Sequence, residues 1–228
     1  MSGLVCLQGG GEFSIACRGM DRALAARGAG PVVATALAGE VGHDYATATA
    51  NGVAHLASVT DRTVVGAPDV RQDPAAALEV LATASLLVLP GGSPSRLLSA
   101  FTDTPAGALL AELVAAGTDV MGASAGAMVL CPWMVLPDRR GAGAVSVARG
   151  LGLVPGLLVV PHWSGGSSRG DWLQVVRDQV PDDLEVLGLP EESGVLVEDG
   201  ALTAVGQRPA RLVSTGRDLP VGESWTRP

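Results

Sequence analysis

Residues 119–132 read DVMGASAGAMVLCP. A short apolar strand over 119–122 runs into Gly122-Ala123-Ser124-Ala125-Gly126, and an Ala/Met/Val/Leu helix follows from about Ala125. The embedded G-x-S-x-G needs glycines because the turn is strained and neighbouring side chains would block it, while the turn thrusts the serine Oγ clear of the sheet. The helix behind it aims its first N–H groups at developing negative charge. In a chain with 31 glycines the bare pattern arises by composition about 0.3 times, so the strand, turn and helix context carries the specificity. Ser124 is read as a nucleophile, against the alternative of an ordinary Gly-Ser turn.

Outward from this elbow, short apolar runs alternate with helical patterns, the signature of a parallel sheet covered on both faces. Strands are expected over 3–7, 31–37, 63–65, 85–89, 119–122, 154–160 and 184–187. Helices are expected over 14–26, 44–56, 74–84, 94–100, 105–116 and 172–180. Gly117 closes the helix before the elbow as a C′ residue, and residues 137–144, PDRRGAGA, have loop composition. Near the end, 195–197 and 201–205 flank Glu198-Asp199-Gly200, a hairpin with an Asp-Gly turn. The expected fold is one doubly wound, mostly parallel α/β domain spanning 1–228, finished by a small antiparallel element.

All 15 basic residues are arginines. The missing lysine excludes a Walker-type phosphate loop, a Schiff-base lysine and a Ser-Lys dyad. It leaves His43, His55 and His162 as candidates for a base near neutral pH. A net charge of −8 and a pI near 4.8 have the wrong sign for nucleic acid or anionic lipid. Cys6, Cys17 and Cys131 form neither a CxxC pair nor an even set, which suits reduced thiols in the cytoplasm. No signal peptide or membrane-spanning run is read. GGGEF at 9–13 lacks the G-x-G-x-x-G spacing of a dinucleotide site, and no cofactor or metal is expected.

A serine nucleophile needs a base, and the base an orienter. His162 ends an apolar strand, where open α/β sheets gather their sites. His43 sits beside Asp44 at a helix start and His55 falls inside that helix, and both suit surface or core duty. Glu191 and Glu192, in GLPEES after the 184–187 strand, are both available to hold His162. The order serine, histidine, acid departs from the α/β-hydrolase order, which here would require Asp138. The oxyanion donors are read as the Ala125 N–H and an N–H of Gly91 or Gly92 in the PGGSP loop.

Together these pieces resemble the serine peptidases that include aspartyl dipeptidase and cyanophycinase. The resemblance rests on Gln8 with GGGEF, the strand-GG loop at 89–92, GASAGAMVLCP at 122–132, LGLVPGLLVVPHW at 151–163 and LGLPEESGVLVEDG at 187–200. It implies a flavodoxin-like sheet of the class I glutamine amidotransferase kind, with serine in place of cysteine. It further implies Ser124 as nucleophile, His162 as base, Glu191 as orienter, Gly92 and Ala125 as the oxyanion hole, and Gly91 beside the substrate. Arg169, in GGSSRGD, takes the place of the arginine associated with a substrate's acidic side chain. The His162 to Arg169 segment is shorter than in aspartyl dipeptidase, and Trp172 stands where a second arginine is expected. The implied partner is a small peptide, with the enzyme a monomer or homodimer. The alternatives are a cyanophycinase-like exopeptidase on β-aspartyl-arginine units, with Glu192 or Asp171 receiving the arginine, and a non-catalytic small-ligand binder on the same scaffold.

Overall fold

The computed structural model describes residues 3–137, 145–165 and 170–226. In chain order the strands of the first half are β1 (Val5–Gln8), β2 (Val32–Ala34), β3 (Val64–Gly66), β4 (Leu86–Leu89) and β5 (Asp119–Ala123). They form the parallel order β3-β2-β4-β5-β1. Each is short and apolar because both of its faces are covered. On one face Val5, Leu7, Leu87, Leu89 and Val120 join one hydrophobic cluster, while Leu4, Cys6, Leu86, Val88 and Met121 join a second cluster on the other. That alternation is the two-residue period of a strand read from both sides.

Helix α1 (Arg18–Ala25) and α2 (His43–Ala57) contribute Met20, Leu24 and Leu56 to the second cluster. Helices α3 (Pro74–Leu81), α4 (Pro94–Thr102) and α5 (Ala106–Ala116) supply the first through Leu81, Leu97, Phe101, Leu110 and Val114. Their ends follow local chemistry. Asp73 and Ser93 cap α3 and α4 by accepting the N–H groups of Ala76 and Arg96, each with proline at the first turn. Gly117 ends α5 in the left-handed region at φ 101°.

The expected C-terminal hairpin is β10 (Ser193–Glu198) and β11 (Ala201–Gly206). It turns through Asp199 and Gly200 at φ 47° and 81°, a two-residue turn whose twist matches the strands. The hairpin lies antiparallel on β1 and continues the large sheet to eight strands, with β14 (Ser224–Thr226) at its edge.

Two features depart from the sequence expectation. The runs expected at 154–160 and 184–187 become β8 (Leu157–Val160) and β9 (Glu185–Gly188), and they leave the large sheet. They pair in parallel in a four-stranded sheet with β12 (Ala210–Leu212) and β13 (Arg217–Leu219). With the antiparallel hairpin already holding the free edge of β1, no edge remains there for a parallel strand. The second departure is a hairpin of β6 (Trp133–Pro137) and β7 (Val145–Arg149), around the expected loop, whose residues 138–144 lie outside those described. The Arg149 guanidinium lies 3.9 Å over the Trp133 ring across it. Between β5 and β6 stands α6 (Ala125–Leu130), buried along its whole length, and between β8 and β9 stands α7 (Gly170–Gln179). Among the described residues no single helix is long and apolar enough to cross a membrane.

Candidate active site

The elbow forms as its glycines require. A Cβ on Gly122 would lie 2.5 Å from the Gly126 carbonyl carbon, and one on Gly126 would lie 2.1 Å from Leu89 O. Those contacts press β5 against α6 and α6 against β4. Ser124 sits between them at φ 49°, ψ −108°, a backbone state that persists only where the surroundings over-determine it.

The last residue of β1 and the two that follow it fix three other segments at once. Gln8 O accepts the Ser124 N–H at 2.9 Å, Gly9 O accepts the His162 N–H at 2.8 Å, and Gly10 O accepts the Glu192 N–H at 2.7 Å. Such an approach leaves no room for side chains. A Cβ on Gly9 would fall 2.2 Å from the carbonyl oxygens of Leu189 and Pro190, and one on Gly10, at φ 124°, would fall 2.4 Å from His162 Cε1. Gln8 and the GGGEF stretch are therefore a backbone clamp that ties the ends of β5, β8 and β9 together.

Within this clamp Ser124 Oγ is 2.9 Å from His162 Nε2, and His162 Nδ1 is 3.0 Å from Glu191 Oε1. The three groups come from the ends of three strands in two sheets. Glu192 turns away: at φ 59° its carboxylate accepts the Ser14 hydroxyl at 2.8 Å. Geometry thus separates two acids that adjoin in sequence. His162 itself is at φ 52°, and the next residue anchors it. The Trp163 N–H donates to Leu189 O, and its ring covers Gly188 so closely that a Cβ there would lie 2.4 Å from the indole. The imidazole and the Glu191 carboxylate are 39% and 55% exposed, so water reaches the pair and screens it.

The backbone N–H groups of Gly92 and Ala125 have no acceptor among the described residues. Gly91 N–H donates to Glu12 Oε1 at 2.6 Å, a contact with no counterpart in the sequence reading, which gave Glu12 no chemistry. The signal was present as an acid directly after three glycines at a strand end. Arg169 lies outside the described residues, and of Asp171 only the backbone, in α7, is described. His43 is exposed on the first turn of α2. His55 is largely buried against Phe13 and holds Asp21 at 2.6 Å. Burial raises the Asp21 carboxyl above its usual range, only partly offset by His55. No group of three or more His, Cys, Asp or Glu among the described residues is arranged to hold a metal ion.

The family model described as Peptidase family S51 matches residues 41–205, a span that holds Ser124, His162 and Glu191. The chain belongs to that family. It is accordingly a serine-type peptidase, a hydrolase. Peptidase E of Streptomyces coelicolor is 32% identical over 189 residues, covering 79% of this chain and 74% of that protein. Cyanophycinase of Trichormus variabilis is 30% identical over 139 residues, covering 58% of this chain and 46% of that one, so the match spans about half of the cyanophycinase. Among solved structures, a peptidase from an acI-B1 Actinobacterium superposes with a TM-score of 0.78 at 21% identity, covering 100% of this chain and 98% of that one. A putative peptidase E from Listeria monocytogenes gives 0.67 at 16% identity, covering 91% of this chain and 100% of its own. These likenesses give the S51 chain its fold, an α/β architecture with a large, mostly parallel sheet.

Proposed function

We propose that this S51 peptidase hydrolyses small peptides, dipeptides with an N-terminal aspartate foremost, through Ser124, His162 and Glu191. The observation that carries the proposal is the unbroken run from Ser124 Oγ through the imidazole to Glu191, at 2.9 and 3.0 Å. His162 Nε2 takes the hydroxyl proton as Oγ attacks the scissile carbonyl, and Glu191 holds Nδ1–H and so fixes the tautomer. The free N–H groups of Gly92 and Ala125 receive the oxyanion. His162 then protonates the leaving amine, and water activated by the same imidazole releases the acyl group. Arg169 is assigned to the substrate's acidic side chain. The three cysteines are buried and unpaired, which supports a reducing cytoplasmic setting.

The test is a panel of Asp-Xaa, β-aspartyl-arginine and neutral dipeptides, offered to the wild type and to Ser124→Ala. Release of aspartate from the first group is expected, falling by roughly a thousandfold or more in the variant. Cleavage that survives Ser124→Ala, or that is absent across the panel, contradicts the proposal. Preference for β-aspartyl-arginine would move the substrate toward that of the cyanophycinase relative.

A further inference from the structure

Glu12 is a carboxylate in an awkward place for this chemistry. The point that a Cβ on Gly91 would occupy lies 2.9 Å from Glu12 Oε1 and 3.1 Å from Ser124 Cβ. The acid therefore faces the nucleophile across one glycine, and its oxygen takes the N–H adjoining the free N–H of Gly92. No ion pair engages it among the described residues. Attack by Ser124 creates negative charge in that same small region, and a fixed carboxylate opposes an oxyanion rather than stabilising it. The opposition ends if the substrate itself brings a cation to Glu12. In a peptide cut after its first residue, the α-ammonium stands two bonds from the carbonyl carbon under attack, so a substrate seated on Ser124 carries a positive charge into this gap.

We propose that Glu12 is the specificity residue that binds the substrate's free α-ammonium and restricts this peptidase to N-terminal residues. The assignment rests on the Ser124 mechanism proposed above. An amino-terminal substrate displaces the carboxylate from Gly91 N–H, pairs with it and leaves the oxyanion site free of uncompensated charge. An N-blocked substrate lacks the cation and meets the carboxylate unpaired.

The test compares kcat/KM for matched pairs of free and N-acetylated aminoacyl p-nitroanilides, with aspartyl, alanyl and leucyl members, on the wild type and Glu12→Gln. Labelling of Ser124 by a fluorophosphonate is followed in both proteins. The wild type is expected to favour the free amine. In Glu12→Gln the free-amine rate should fall about 10- to 100-fold, the usual worth of a charged hydrogen bond, while the acetylated rate holds or rises. That crossing separates recognition from a merely structural role, because a glutamate that only steadied Gly91 would lower both rates in parallel. A parallel fall, an unchanged ratio, or labelled Ser124 with no turnover of any free-amine member would overturn the proposal. Failure of the fluorophosphonate to label wild-type Ser124, with no substrate cleaved, would instead overturn the mechanism on which it rests.

Discussion

Among the described residues, Phe13, Ser124, His162, Glu192 and Asp199 are the non-glycine residues with positive φ. Asp199 is explained by its hairpin turn, Phe13 packs its ring on His55, and the other three gather around the proposed site. Each such residue costs about 1–3 kcal/mol, offset by the backbone bonds from Gln8, Gly9 and Gly10 to Ser124, His162 and Glu192. Ser124 was legible in the sequence because its glycines encode the strain. The choice between Glu191 and Glu192 was open to resemblance alone, since the two acids differ only in a backbone angle that neighbouring chain imposes. Asp21 yields a prediction at the same scale. It is 1% exposed, its Oδ1 has no partner among the described residues, and burial raises its carboxyl above the ordinary value of 3.8. The folded state thus holds that proton more tightly than the unfolded state. Its contribution to stability is greatest below pH 3.8 and is lost as pH rises through the raised folded value. Asp21→Asn, which keeps an acceptor for His55, should gain in Tm relative to wild type as pH rises from 4 toward 7. Thermal unfolding across that range checks it, and a difference that drifts the other way refutes it. Cys131 offers a second prediction, for burial pushes its thiol up to about 12. It should resist alkylation by iodoacetamide in the folded protein at pH 8 and react once the chain is unfolded.

At the scale of elements, the parallel strands and most helices were legible because apolar runs and caps repeat at fixed periods. The pairing of β8 with β9 apart from the large sheet was not, because a short run such as LLVV reads alike in either sheet. The β6–β7 hairpin and the strands at 210–212 and 217–219 were missed for a related reason: the last two are three residues each, too brief for a period to show, and β6 and β7 flank a stretch of loop composition. The structural role of the loop after β1 was not legible. As a sequence, GGGEF reads as a phosphate loop that fails its spacing; in the fold its missing side chains are what allow β1 to clamp three segments. Gly10→Ala should therefore act on catalysis as well as stability. The added methyl would lie 2.4 Å from His162 Cε1 and would force φ 124° on a residue with a Cβ. Displacing the imidazole by about 1 Å is expected to lower kcat/KM on the order of a hundredfold. Activity assays beside a melting curve check it, and unchanged kcat/KM would show that the clamp does not position the base.

Over the whole molecule, two sheets meet so that their C-terminal strand ends supply one site, with β1 and β5 from the large sheet and β8 and β9 from the small one. One hydrophobic cluster runs from Leu7 and Leu89 to Val160, Leu187 and Leu212 and holds the two sheets in fixed relation. This is where membership of the S51 family and the local geometry converge, since the matched span includes β5, β8 and β9 and all three polar groups. The central claim is that the arrangement makes Ser124 a nucleophile driven by His162. Intact-mass and peptide-mass measurement after treatment with diisopropyl fluorophosphate tests it most directly. The account predicts one adduct, on Ser124, formed on the order of a hundred times more slowly in His162→Gln. A wild-type protein that stays unmodified, or one labelled as fast without His162 as with it, would contradict it.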